Sequence, residues 1–408
     1  MLSGHPSAKE SCAIDDQLAF PTSDRATSIS AYYVKRPELS QRLHDLLTKS
    51  TAESSYPHVV LIHGLAGSGK TQLVRNLAKT WPKNDWAFYW MDASSLGTLH
   101  RSFEAFARNL GLPGPARRFN SRPTYTAGTL EPSIMDWKVV RDVKTFIEHY
   151  SGRWLLFFDN YDIPEGNIRE FFPGGSHGHI VVTSRNREVE IETGGDSLHV
   201  ESMEVAEAVE LLDKVAGLTG TTTDEEQTIK ESIVRDLLGC LPLATAQAGS
   251  YIRNIIPRPL STQQRLQRYK ERYQTHESKM LEGDGGSHVV EYGKSVITTW
   301  GLSFENLIQD KPIAVELLML FGFFHHSDIP IALFETVYEA RERLYSEDGI
   351  DIEKEPYSWV DELFASQPDG QWDRRLFDTA TGHPVSYSLL RQTDEYNYSM
   401  HPLVHAWT

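Results

Sequence analysis

The eight residues Gly64-Leu65-Ala66-Gly67-Ser68-Gly69-Lys70-Thr71 restrict the fold of this chain more than anything else in its sequence. They complete the pattern G-x-x-x-x-G-K-[ST], and their flanks are those the pattern requires. The apolar run Val59-Val60-Leu61-Ile62 precedes them, and Leu73, Val74, Leu77 and Ala78 form one stripe of a helix that follows. Gly64, Gly67 and Gly69 let the backbone bend with its N–H groups pointing inward, and the helix N-terminus adds partial positive charge. Lys70 brings a point charge to the β- and γ-phosphates, and the Thr71 hydroxyl suits Mg²⁺. The expected nucleotide contacts are therefore Gly64 to Thr71, with Gln72 directly after.

The rest of the first half supports a sheet around this loop. Apolar runs at His58–Ile62, Trp86–Met91, Trp154–Phe158, His179–Thr183 and, weakly, Leu198–Val200 alternate with helical patterns near 70–80, 99–110 and 137–150. Continuous apolar strands separated by helices indicate a parallel sheet covered on both faces. The expectation is a three-layer α/β P-loop NTPase domain over residues 31–201, with about five parallel strands. Trp154–Phe158 delivers Asp159 at a strand's carboxyl end, where its carboxylate can hold magnesium opposite Thr71. Asn160 stands next to it, and an amide takes no proton from an attacking water. Asp162 is the nearest acidic substitute, so hydrolysis is expected to be slow. Arg185, at the end of another strand, is placed to sense a γ-phosphate. Lys70, Asp159 and Arg185 form the expected catalytic set.

Residues 1–30 lack periodicity and are expected to be a flexible leader, and 112–135, rich in Pro, Gly and Arg, an insertion loop. From 202 to 276 the pattern turns helical, and 277–293, with its Gly-Asp-Gly-Gly at 283–286, is expected to be a linker. Over 294–408, helical segments near 312–323, 329–340 and 357–366 precede strand-like runs at Ser386–Arg391 and Tyr396–Met400. Three helices and a hairpin predict a winged-helix domain. With 56 acidic against 40 basic residues the formal net charge is −16, which argues against nucleic acid as a partner. Two cysteines, Cys12 and Cys240, make no disulfide framework and fit a reducing compartment. The first twenty residues hold no signal peptide, and no apolar run reaches the length of a membrane span. The chain is expected to be soluble and cytoplasmic.

Several motifs in one order resemble the NB-ARC class of STAND P-loop ATPases, which includes plant and fungal NLR-type receptors. Tyr33-Val34-Lys35-Arg36-Pro37-Glu38-Leu39 is similar to the hydrophobic-Gly-Arg-x-x-Glu-Leu segment, with Lys35 in place of Gly. FYWMDASS at 88–95 resembles the second strand, LGCLPLA at 238–244 the Gly-Leu-Pro-Leu-Ala motif, and TTWGLSFENL at 298–307 the entry to the winged helix. YSMHPLVHAW at 398–407 resembles the Met-His-Asp motif, with Pro402 replacing Asp. The resemblance implies Val34 and Arg36 at the adenine, Pro242 packed on the base and His401 at the β-phosphate. It implies an ADP/ATP switch with Mg²⁺, closed with ADP and oligomerising with ATP, reset by slow hydrolysis. It also implies a role in signal transduction, innate immunity or programmed cell death. The effector and sensor repeat domains of such receptors are expected outside this chain, which has the look of the regulatory core of something larger.

A rival reading is a STAND-type transcription regulator using the winged helix on DNA, opposed by the charge of −16 and by the lack of a basic recognition helix in 312–366. A fast motor or loader ATPase is opposed by Asn160. Arg265, Arg268, Lys270 and Arg272 read as a solvated helix face, and the spacing of His401 and His405 lacks the further ligands of a zinc site.

Overall fold

The computed structural model describes residues 29–49, 56–81, 86–112, 137–163, 167–257, 259–283, 291–326, 328–347, 358–367, 370–387, 389–400 and 404–405. Nearly all of the expected leader and insertion loop lie outside these residues. The chain divides into two compact units. The first contains Pro37–Gly64 and Lys70–Val200; the second contains Ser30–Arg36, Leu65–Gly69 and Glu201–Thr408. Among the described residues, no helix is long and apolar enough to cross a membrane.

The first unit is a three-layer α/β P-loop NTPase core. Its strands are β1 (His58–His63), β2 (Trp86–Asp92), β3 (Arg153–Asp159), β4 (Gly178–Ser184) and β5 (Asp196–His199). They pair in parallel in the order β2-β3-β4-β1-β5. Side chains alternate between two cores. Phe88, Trp90, Leu155 and Phe157 pack with α1 (Pro37–Thr48) and α2 (Lys70–Thr80). Tyr89, Met91, Leu156 and Phe158 pack with α3 (Leu96–Asn109) and α4 (Trp137–His149). Each of these buried apolar side chains contributes about 1.5–3 kcal/mol. This double burial is why the strands read as continuous apolar runs rather than as alternating ones. Ser95 caps α3 in a box with Thr98, which fixes where the chain leaves β2.

The strand order positions the site. From β1 the chain crosses to the far edge, returns through β3 and β4, and passes over β1 to β5. Ligands of such sheets bind beyond the carboxyl ends where the order reverses. β4 separates β1 from β3, so their ends lie about 10 Å apart, two strand spacings.

The short helix α5 (Val189–Thr193) completes the first unit, and the helices of the second start with α6 (Val205–Ala216) and α7 (Asp224–Ser232). A π turn at Ile233–Leu237 follows, then α8 (Pro242–Asn254), α9 (Thr262–Gly283), α10 (Glu291–Asp310) and α11 (Pro312–Phe321). After them come β6 (Ile329–Pro330), α12 (Ile331–Glu347), α13 (Ser358–Leu363), α14 (Arg375–Ser386), β7 (Leu390–Gln392) and β8 (Asn397–Met400). The three strands form an antiparallel sheet in the order β6-β8-β7. One continuous core runs from Leu212 through Tyr251 and Trp300 to Phe334 and Tyr398.

Within the stretch 277–293, the described residues 277–283 belong to α9 and 291–293 to α10. Glu277, Lys279, Met280, Leu281 and Glu282 are good helix formers and favour the continuation of α9 through this run. The run at Ser386–Arg391 is displaced. Ser386 ends α14, a helix whose Gly382 and Pro384 hid it in the sequence, and the strand starts at Leu390.

Candidate functional site

At the end of β1 the backbone turns at Gly64 with φ +148°, where a Cβ would collide with the Val200 carbonyl. Gly67 (φ +78°) and Gly69 (φ +95°) also take conformations that L side chains rarely adopt. The loop then opens α2 at Lys70. Lys70 is 8% exposed, and its Nζ donates to the Gly64 carbonyl at 2.8 Å. Burial lowers its pKa from 10.5 to about 8, with Asp162 and Asp159 opposing and Arg185 adding to the fall. His63, just before the loop, stacks on His199 with ring centroids 4.9 Å apart. Burial first, then His199, lowers its pKa and keeps the imidazole neutral at neutral pH.

Asp159 is 4% exposed at the carboxyl end of β3. The Thr71 hydroxyl donates to its Oδ1 at 2.9 Å, and the Thr183 hydroxyl to the same oxygen at 2.5 Å. Burial raises the pKa of this carboxyl, while Thr183, Arg75 and Thr71 pull it back. Asn160 follows in the left-handed region (φ +62°), its N–H donating to the Thr183 hydroxyl at 2.9 Å. One threonine thus orients both residues. Sequence reasoning missed Thr183, and its one signal was a hydroxyl closing the apolar run before Ser184-Arg185.

Asp162 accepts from the Ser184 hydroxyl at 3.0 Å, the Arg185 N–H at 2.7 Å and the Arg185 Nε at 2.7 Å. The guanidinium expected to sense a γ-phosphate therefore rests on the acid considered as a stand-in for a second carboxylate.

The remaining expected contacts belong to the second unit. Val34 is buried in that unit's core. Arg36 bonds to Ser68, Glu201 and Ser202 carbonyls. Pro242 is the first residue of α8, 3.9 Å from the place of a Cβ on Gly69, and the Leu243 N–H donates to the Gly67 carbonyl at 3.3 Å. Before α8, Gly239 (φ +57°) and Cys240 (φ +53°) are both left-handed. Leu65 is exposed and Ala66 half-buried; Gln72, in α2 of the first unit, is also half-buried. His401 and Pro402 lie outside the described residues.

The residues present fit a phosphate and a hard divalent cation. Ser68 is fully buried inside the loop, and its hydroxyl has no protein partner among the described residues. Three positive-φ glycines shape a cradle that a Cβ would disturb. Thr71 and Asp159 supply oxygen donors, the chemistry Mg²⁺ prefers.

Residues 38–221 match the family model described as the NB-ARC domain. No curated protein sequence matches the chain. Among solved structures, the chain is similar to the Signal Transduction ATPase with Numerous Domains (STAND) protein with a tetratricopeptide repeat sensor from Pyrococcus horikoshii. That match has 12% identity and a TM-score of 0.46, and it covers 94% of this chain and 43% of the other. The chain thus spans less than half the length of that protein. It is also similar to Cdc6p from Pyrobaculum aerophilum, at 14% identity and a TM-score of 0.34, over 95% of this chain and 98% of the other.

Proposed function

We propose, from the premise that residues 38–221 belong to the NB-ARC family, that the chain is an ADP/ATP switch in signal transduction. The observation that carries this reading is the buried Lys70 and the Thr71–Asp159 pair at the mouth of a glycine loop. Lys70 would bind the β/γ-phosphates, and the loop amides and the N-terminus of α2 would hold the remaining charge. Thr71 and Asp159 would hold Mg²⁺, which when bound neutralises phosphate charge and polarises the phosphoryl oxygens.

The chain's own groups support slow hydrolysis as part of this reading. Asn160 offers no base, and the oxygens of Asp162 are occupied by Ser184 and Arg185. Turnover below about 1 s⁻¹, the low end for enzymes, suits a reset step. The element order of 312–400, helix, strand, helices and a final hairpin in a β6-β8-β7 sheet, supports a winged-helix reading. In this reading Pro242 and His401 add contacts to ADP in a resting form, and ATP favours a form that self-associates. A ligand moves such an equilibrium only by its preference between states. The expected setting is cytoplasmic, in an NLR-like pathway of immunity or cell death.

The test is sedimentation of the protein loaded with Mg·ADP or with a non-hydrolysable ATP analogue. Monomers with ADP and larger species with the analogue are expected. Identical profiles, with both nucleotides bound, would reject the switch and leave only a binding protein.

A further inference from the structure

The contacts of Arg36 do not suit a residue that reads a base. Its Nη1 donates to the Glu201 carbonyl at 3.0 Å and the Ser68 carbonyl at 3.4 Å, and its Nη2 to the Ser202 carbonyl at 2.7 Å. Its Nε lies 3.3 Å from Glu207 Oε2, with the arginine side chain only 13% exposed. All of these partners belong to the second compact unit, as does the loop tip Leu65–Gly69. The fork of the guanidinium is therefore spent on backbone carbonyls and one carboxylate.

The Ser68 contact bears on phosphate chemistry. In a trans peptide the carbonyl of one residue and the N–H of the next point in opposite directions. Holding the Ser68 carbonyl toward Arg36 turns the Gly69 N–H the other way, away from Arg36. Gly69, at φ +95°, needs that constraint because a glycine has many alternatives. The Leu243 N–H holds the Gly67 carbonyl in the same manner at 3.3 Å. On the far side, Glu207 Oε2 also accepts from the Glu204 N–H at 3.1 Å, closing the capping box of α6. Arg36 thus ties the loop tip to the first turn of that helix.

We infer that Arg36 is a positioning residue for the phosphate loop, acting through the Ser68–Gly69 peptide on the diphosphate of a nucleotide and not through the purine. The inference rests on the reading of residues 64–71 as a phosphate site. It separates from a base-contact role by ligand choice. Calorimetric titrations of wild type, Arg36→Ala and Arg36→Lys would use ADP, GDP and inorganic pyrophosphate in Mg²⁺ buffer, with folding checked by circular dichroism.

Arg36→Ala is expected to weaken ADP and pyrophosphate by the same factor, about tenfold, the scale of one charged hydrogen bond. The ADP-to-GDP ratio stays at its wild-type value. Arg36→Lys loses most of the same affinity, since one ammonium cannot span the carbonyls that the fork spans. If wild type binds ADP but pyrophosphate too weakly to measure, the ADP-to-GDP ratio alone decides. Should Arg36→Ala fail to fold, Arg36→Lys and Glu207→Gln replace it, with a smaller loss that is equal for both ligands. Unchanged pyrophosphate affinity with lost base discrimination, or wild-type binding in every folded variant, overturns the inference. Wild type that binds neither ADP nor pyrophosphate overturns the phosphate site itself.

Discussion

Replacing Lys70 with methionine is expected to stabilise the ligand-free protein while abolishing nucleotide binding. Lys70 is 8% exposed, and burial brings its pKa from 10.5 to about 8. The unfolded chain keeps the proton up to about pH 10.5, whereas the folded chain releases it near 8. Between these values the unfolded state holds more protons, so stability rises with pH. Below pH 8 the fold bears the full cost of the buried charge, about 3 kcal/mol. Methionine matches the length without the charge and gives up the bond to the Gly64 carbonyl, which is worth about 1 kcal/mol. The net gain at pH 7 is about 2 kcal/mol, several degrees in melting temperature for a unit of this size. Urea unfolding of nucleotide-free wild type and Lys70→Met at pH 7, 8.5 and 10 measures it directly. The gap should narrow steadily above pH 8. A variant less stable than wild type at pH 7, or a gap that ignores pH, refutes the reasoning. The same titration governs wild-type binding: if bound phosphate keeps Lys70 protonated, ADP affinity falls about tenfold from pH 7 to 9.

Asp159→Asn keeps an acceptor for Thr71 and Thr183 and removes a carboxylate that burial disfavours. A carboxyl with a raised pKa loses stability as pH rises through that value, so the variant should melt higher than wild type at pH 7. Its nucleotide affinity should no longer respond to Mg²⁺, and an undiminished Mg²⁺ effect in calorimetry would remove Asp159 from that role. Asn160→Asp places a carboxylate on a backbone already held by Thr183 and should raise phosphate release in a steady-state assay. No rise would mean that proton abstraction does not limit turnover. At Cys240, φ +53° penalises any Cβ, so Cys240→Gly should be more stable than Cys240→Ala by about 1 kcal/mol in denaturant melts. Equal or reversed stabilities would show that no strain resides there.

The sheet was legible because its strands are buried on both faces. Runs such as Trp154–Phe158 carry no polar break, and their ends predicted Asp159 and Arg185 to within a residue of the strand termini. The glycine loop was legible because its chemistry and its backbone need coincide. Side-chain partnerships were not. No pattern in the sequence says that Thr183 donates to Asp159, that Arg185 folds onto Asp162, or that Arg36 spends its donors on carbonyls. These depend on register between strands far apart in the chain, such as Ile62 beside Thr183. Helix α14 escaped notice because Gly382 and Pro384 are poor helix residues, and burial of Phe377 and Ala380 outweighs local propensity there. The motif Met400-His401 marks the end of β8, yet His401 itself lies outside the described residues.

Calorimetric titration of the purified, nucleotide-stripped chain with ADP in Mg²⁺ buffer addresses the glycine loop most directly. One ADP per chain is expected, with binding lost in Lys70→Met. Absence of binding to wild type, or ADP held equally well by the methionine variant, would contradict a nucleotide site at Gly64–Thr71.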